Sequence, residues 1–193
     1  MAAGVRDRMI DGTVTLLAQR GVDGTSFSTV LELTGAPRGS LYHHFPGGKE
    51  ELVAAAVDAS AARALGVLDR VAGRPAVDVT AAVLDFWRAI LRGSRLRAGC
   101  AVAAVTVAAD SDAMRAHAAD AFRTWRARLA EVLVAGGVPD DESDAVAAVV
   151  LAACEGGVLL ARAEQSMDPF EAMSAQLLGL VGRACDGAGE GLA

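Results

Sequence analysis

The chain has 193 residues, is 53% hydrophobic and carries a formal net charge of -6. Length and apolar content suffice for one or two domains with a sizeable core and exclude a disordered chain. The three cysteines, Cys100, Cys154 and Cys185, lie far apart with no CxxC spacing, which excludes a disulfide scaffold and a cysteine-built zinc site.

Arg6, Asp7, Arg8 and Asp11 interrupt the opening before a signal-type apolar region forms, so a cytoplasmic protein is expected. The first helix is predicted over residues 5–20: Ile10, Val14 and Leu17 share a stripe widened by Met9 and Leu16, and Gly21 supplies the stop. Ser26 or Ser28 can cap a short second helix carrying Val30, Leu31 and Leu33 and closed by Gly35. Pro37 suits the first position of a third helix, 37–44, which Pro46-Gly47-Gly48 ends. Three such helices with a tight glycine-containing turn form a helix-turn-helix arrangement.

Alanine-rich helical stretches follow at 49–72, 77–91, 99–109, 112–135, 142–163 and 169–184, for about nine helices and no strand alternation. The expected architecture is all-α, with a helix-turn-helix domain over 1–48, a second helical domain over 49–186 and an unstructured tail over 187–193. The apolar run 98–109 is too short to span a bilayer, and 145–161 carries Glu155 and is largely alanine and glycine, so both read as core helices and no membrane partner is expected.

Residues 1–50 balance five basic groups against five acids, so the global acidity does not describe their local field. Within them "PRGSLYHH" supplies what a helix entering a DNA major groove needs: Arg38 as charged donor, Gly39 and Ser40 for close approach, and Tyr42, His43 and His44 as hydrogen-bonding groups. Leu41 and Phe45, at i and i+4, are the expected inward anchors.

The stretch "GVDGTSFSTVLELTGAPRGSLYHHFPGGKEEL" resembles the DNA-binding region of the TetR family of bacterial repressors, with Gly35, Gly39, Leu41, Tyr42, His44, Phe45, Lys49 and Leu52 in register. Pro37 stands where the family usually has Ser or Thr. The resemblance implies that Tyr42, Lys49 and Ser40 meet phosphates, that Arg38, Gly39 and His43 face the groove, and that Thr29 sits at the DNA-facing start of the second helix. Its implied partner is double-stranded operator DNA.

Farther on, "RAGCAVAAVTVAADSDAMRAHAADAFRTWRARLAEVL" and "EGGVLLARAEQS" resemble the narrower LmrA/YxaF-like branch. A ligand cavity in such a domain is apolar with a few polar groups. The bulkiest groups of the middle helices, Phe86, Trp87, Ile90, Val105, Met114, Phe122 and Trp125, with His117, are its expected lining, for a small apolar effector. One stripe of the last helix carries Phe170, Met173, Leu177 and Val181, and one of the preceding helix Val150, Cys154, Gly157 and Val158. TetR repressors dimerise through their last two helices, so these eight are the expected homodimer interface.

An enzyme is disfavoured: no GxSxG accompanies the serines, "GGKEE" lacks the first glycine and the Ser/Thr of a phosphate loop, and no HExxH occurs. Neither cofactor nor metal is expected. The alternative is a helical small-molecule-binding or interaction protein that does not bind DNA.

Overall fold

The computed structural model describes the backbone of residues 4–190 and the side chains of residues 4–186. The described residues form nine helices and no strand, so the all-α expectation holds: α1 (Val5–Arg20), α2 (Phe27–Thr34), α3 (Arg38–His44), α4 (Gly48–Val71), α5 (Ala76–Gly93), α6 (Ala101–Ala108), α7 (Asp112–Ala135), α8 (Asp140–Glu164) and α9 (Asp168–Glu190). The backbone of α9 is helical over 187–190, where a tail was expected, and 191–193 lie outside the described residues.

Punctuation residues set the short helices at the front. Ser26, rather than Ser28, caps α2: its Oγ accepts from the Thr29 N–H at 3.2 Å, while the Ser26 N–H donates to Thr29 Oγ1 at 2.9 Å. This reciprocal capping box satisfies donors that a helix start leaves open and is worth about 1 kcal/mol. Gly35 ends α2 in the left-handed region at φ 64°, where only glycine sits without cost, and its N–H returns to the Leu31 carbonyl. Pro37 is the residue before α3 rather than its first member, and its carbonyl accepts the Ser40 N–H at 3.0 Å.

Two compact units divide the chain, and the division differs from a break at residue 48. The first comprises 4–62 and Cys100–Phe122, because α6 returns to pack on α1. Its core gathers Met9, Ile10, Leu16, Val30, Leu41, Phe45 and Leu52. Of the apolar trio assigned to α2, only Val30 is buried. Leu31 is half-buried, and Leu33 is 53% exposed.

The second unit comprises Arg63–Gly99 and the residues from Arg123 onward, built on mutual packing of α5, α8 and α9. Trp87, Leu84, Leu91, Val150, Cys154, Val158, Phe170 and Val181 are buried in it. Arg88 of α5 donates from Nε and Nη2 to Glu171 of α9 at 2.8 and 2.7 Å and lies over the Phe170 ring at 5.7 Å. That hydrogen-bonded ion pair holds the Glu171 carboxyl below its ordinary range and raises the Arg88 guanidinium. Among the described residues α8 alone is long and apolar enough to cross a membrane, at a mean hydropathy of 1.9. Its buried side serves as a core helix.

Candidate nucleic-acid interface

In the first unit α3 is seven residues long and is held from one side. Leu41 and Phe45 are 1% and 0% exposed and bury themselves with α1 and α2, and the Arg6 guanidinium covers the Phe45 ring at 5.3 Å. Burial of two such side chains supplies on the order of 3–6 kcal/mol, enough to fix a helix too short to form alone. The sequence expectation for these anchors holds.

The other side of α3 is open. Arg38, Gly39, Tyr42 and His43 are exposed, Tyr42 by 71%. The Tyr42 ring stands edge-on to Phe27 at 6.0 Å, and the His43 and His44 rings meet edge-on at 5.0 Å. A Cβ at Gly39 would meet nothing within 4 Å and no positive φ is required there, so the chain's own packing does not demand glycine at this place.

Three of the expected contact residues are already committed within the chain. Ser40 Oγ donates to the Pro37 carbonyl at 2.5 Å. Thr29 Oγ1 accepts from the Ser26 N–H and donates to the Ser26 carbonyl at 2.9 Å, so its first task is to fix the start of α2. Lys49 Nζ donates to the Val22 carbonyl at 2.9 Å, tying the start of α4 to the α1–α2 loop while the side chain stays exposed. The α3–α4 loop is closed by Glu51 Oε2, which accepts from the Gly47 N–H at 2.7 Å.

Between α2 and α3 lies an open cleft of about 320 Å³, lined by Phe27, Ser28, Leu31, Arg38, Leu41 and Tyr42. Sequence reasoning missed Phe27, Ser28 and Leu31 as surface residues. Phe27 and Leu31 are one turn apart on α2, and that i, i+4 spacing was the available clue.

A bundle front with a helix-turn-helix pair whose second helix presents a cation, a glycine and ring donors invites comparison with known proteins. Residues 9–56 match the model of bacterial regulatory proteins of the tetR family, and residues 76–176 match that of the transcriptional regulator LmrA/YxaF-like C-terminal domain. An uncharacterized HTH-type transcriptional regulator of Mycobacterium tuberculosis, Rv0196, is 34% identical over 92% of this chain and 94% of its own length. The HTH-type transcriptional regulator LmrA of Bacillus subtilis is 25% identical over 86% of this chain and 90% of its own. The chain belongs to the TetR family of transcriptional regulators. The crystal structure of a TetR regulatory protein from Rhodobacter sphaeroides superposes with a TM-score of 0.81 at 21% identity, covering 90% of this chain and 97% of that one, and supports the fold.

Elsewhere in this TetR-family chain, the eight residues expected around a ligand divide between the units. Phe86, Trp87, Ile90 and Trp125 belong to the second, and Val105, Met114, His117 and Phe122 to the first. Phe86, Trp87 and Trp125 form an aromatic row, with centroids 5.4 and 6.1 Å apart. Trp87 and Trp125 are 2% and 6% exposed, and the buried Trp87 Nε1 has no hydrogen-bond partner among the described residues. Val105 is buried, and Ile90, Met114 and Phe122 are half-buried. His117 Nε2 lies 2.8 Å from Asp58 Oδ1, a link from α7 to α4 that sequence spacing could not reveal.

The residues expected to meet a second subunit require correction. Val150, Cys154, Val158, Phe170, Leu177 and Val181 are at most 4% exposed in the single chain, Gly157 is buried and Met173 half-buried. Gly157 faces the last helix: a Cβ there would stand 2.6 Å from Met173 Cε and 3.2 Å from Phe170 Cδ2. Burial, with the neighbouring Glu155, pushes the Cys154 thiol up to about 12, as suits an inert core group. The two apolar stripes are therefore spent within the mutual packing of α5, α8 and α9. What α8 leaves outside is Val149, Ala152, Leu159 and Leu160, with Leu159 64% and Leu160 50% exposed, and α9 adds Ala172, Ala175 and Gly179.

Proposed function

We propose that the chain is a homodimeric, cytoplasmic repressor that binds operator DNA through α3 and leaves it when a small apolar molecule binds. The carrying observation is the one-sided anchoring of α3: Leu41 and Phe45 fix the helix, while Arg38, Gly39, Tyr42 and His43 stay outside. Arg38 suits the O6 and N7 acceptors of guanine, Gly39 suits close approach, and Tyr42 suits a phosphate. Ser40, Thr29 and Lys49 act mainly by holding this surface in shape, with Lys49 keeping further donors for a phosphate.

The second subunit covers the exposed α8–α9 face of Val149, Ala152, Leu159, Leu160, Ala172, Ala175 and Gly179. Its small residues permit close helix approach, and its apolar area supports association as a four-helix interface. Phe86, Trp87, Ile90 and Trp125, all of the second unit, are the effector contacts we favour. Effector binding works as a population shift, favouring a dimer whose two α3 helices no longer match successive major grooves about 34–36 Å apart. Catalysis has no part in this reading.

The test is selection from random double-stranded DNA. The protein is expected to enrich one palindromic sequence and to bind it as a dimer with strong salt dependence. An apolar compound that releases it is expected to alter tryptophan emission over the same concentration range. Failure to enrich any sequence would leave the family's fold without its DNA-binding role.

A further inference from the structure

The open cleft between α2 and α3 combines two chemistries. Its walls are the Phe27 ring, Leu31 and the edge of Tyr42, and its rim carries Arg38, with Ser28 as the only other polar side chain besides the Tyr42 hydroxyl. No carboxylate lines it, so nothing within the cleft neutralises Arg38. Phe27 and Leu31 are half-buried: both pack against the core of the first unit and turn their remaining surface to the cleft, where the Phe27 ring meets Tyr42 edge-on. Apolar surface is thus kept open directly beside a guanidinium.

The DNA major groove offers the matching pair. Its only apolar feature is the C5-methyl group of thymine, and the strongest partner for an arginine there is the O6/N7 edge of guanine. A neutral hydrocarbon would meet the apolar walls but leave Arg38 without an acceptor. A DNA base step satisfies both, inside a polyanion that complements the charge.

We infer that the α2–α3 cleft is a specificity site that takes the thymine methyl group of the operator against Phe27 and Leu31, next to a guanine taken by Arg38. The inference rests on the DNA-binding reading and adds to it residues of α2. It assigns to α2 a part in reading bases as well as in supporting α3. It also gives the half-site a chemical content, a thymine adjacent to a guanine.

The experiment uses the full-length protein and the DNA enriched by the selection. Each thymine is replaced singly by deoxyuridine, which removes the methyl and keeps the base pair. One thymine per half-site, next to a guanine, is expected to lose about fourfold in affinity on this exchange, the worth of one buried methyl group. Leu31→Ala is expected to bind the thymine and deoxyuridine versions equally, whereas Arg38→Ala is expected to keep the methyl preference and lose the guanine preference.

If the parent protein binds every deoxyuridine version as tightly as the thymine operator, the cleft does not read a methyl and the inference falls while DNA binding stands. A methyl preference that survives in folded Leu31→Ala overturns it equally. Enrichment of no DNA at all overturns the functional reading beneath it. The measurement on the parent protein decides the matter even if Leu31→Ala does not fold.

Discussion

The α2–α3 surface and the α8–α9 surface solve opposite problems with the same element. Helix α3 and its capping residue bury Leu41 and Phe45 and leave a cation, a glycine, a phenol and an imidazole outside. Helix α8 buries Val146, Val150, Cys154 and Val158 and still leaves Val149, Leu159 and Leu160 exposed. The residue of surface after the chain has met its own needs indicates the partner: a hydrated polyanion at the first place, and a second apolar face at the other.

The largest effect is expected from confusing the two sides of α8–α9. Leu177→Asp puts an unpaired carboxylate among residues at most 4% exposed and should cost more than about 4 kcal/mol, giving insoluble or unfolded protein by circular dichroism. Leu159→Asp with Leu160→Asp, on the outer side, should instead give a soluble helical monomer by sedimentation at micromolar concentration. A dimer that survives the outer pair would mean that the exposed α8 face is not where the subunits meet.

Substitution at the point where α8 meets α9 is expected to rank next. Gly157→Val would overfill the contact with Met173 and Phe170 and should lower stability by about 1–3 kcal/mol in urea unfolding. Gly156→Ala, with open space around it, should leave monomer stability nearly unchanged or slightly raised.

Much of this was legible in the sequence, and what was not has a physical reason. The 3.6-residue period and the glycine and proline breaks located the helices, Leu41 and Phe45 identified the buried side of α3, and the motif identified the family. The two sides of α8 could not be told apart because alanine, glycine, valine and leucine surround it, and no polar face orients it. Val150 and Val149 are equal in residue type, and only the packing of the second unit separates them, burying the first and leaving the second exposed. Lys49 to Val22, His117 to Asp58 and the return of α6 to α1 are long-range contacts without a local signature. Leu31 stood in an apolar group with Val30 and Leu33, and that pattern does not show which of the three turns toward the cleft.

The smallest effect is a dependence on pH. Glu171 is held below its ordinary range chiefly by the hydrogen bond from Arg88, so its contribution is present above the unfolded carboxyl range and is lost as pH falls through the lowered folded value. The pair is partly exposed, so screening limits it to about 1 kcal/mol or less. Glu171→Gln should therefore lower the melting temperature slightly at neutral pH and should flatten its acid dependence. An unchanged acid profile would mean that the α5–α9 tie is not carried by this pair.

The central claim is that the open side of α3 reads DNA. Arg38→Ala tests it most directly, with affinities for the selected operator and for random DNA measured at one salt concentration. A loss of about 1–3 kcal/mol on the operator is expected, with a much smaller loss on random DNA and unchanged helicity, melting temperature and dimer mass. Operator binding as tight as the parent's, in a variant equally well folded, would contradict it.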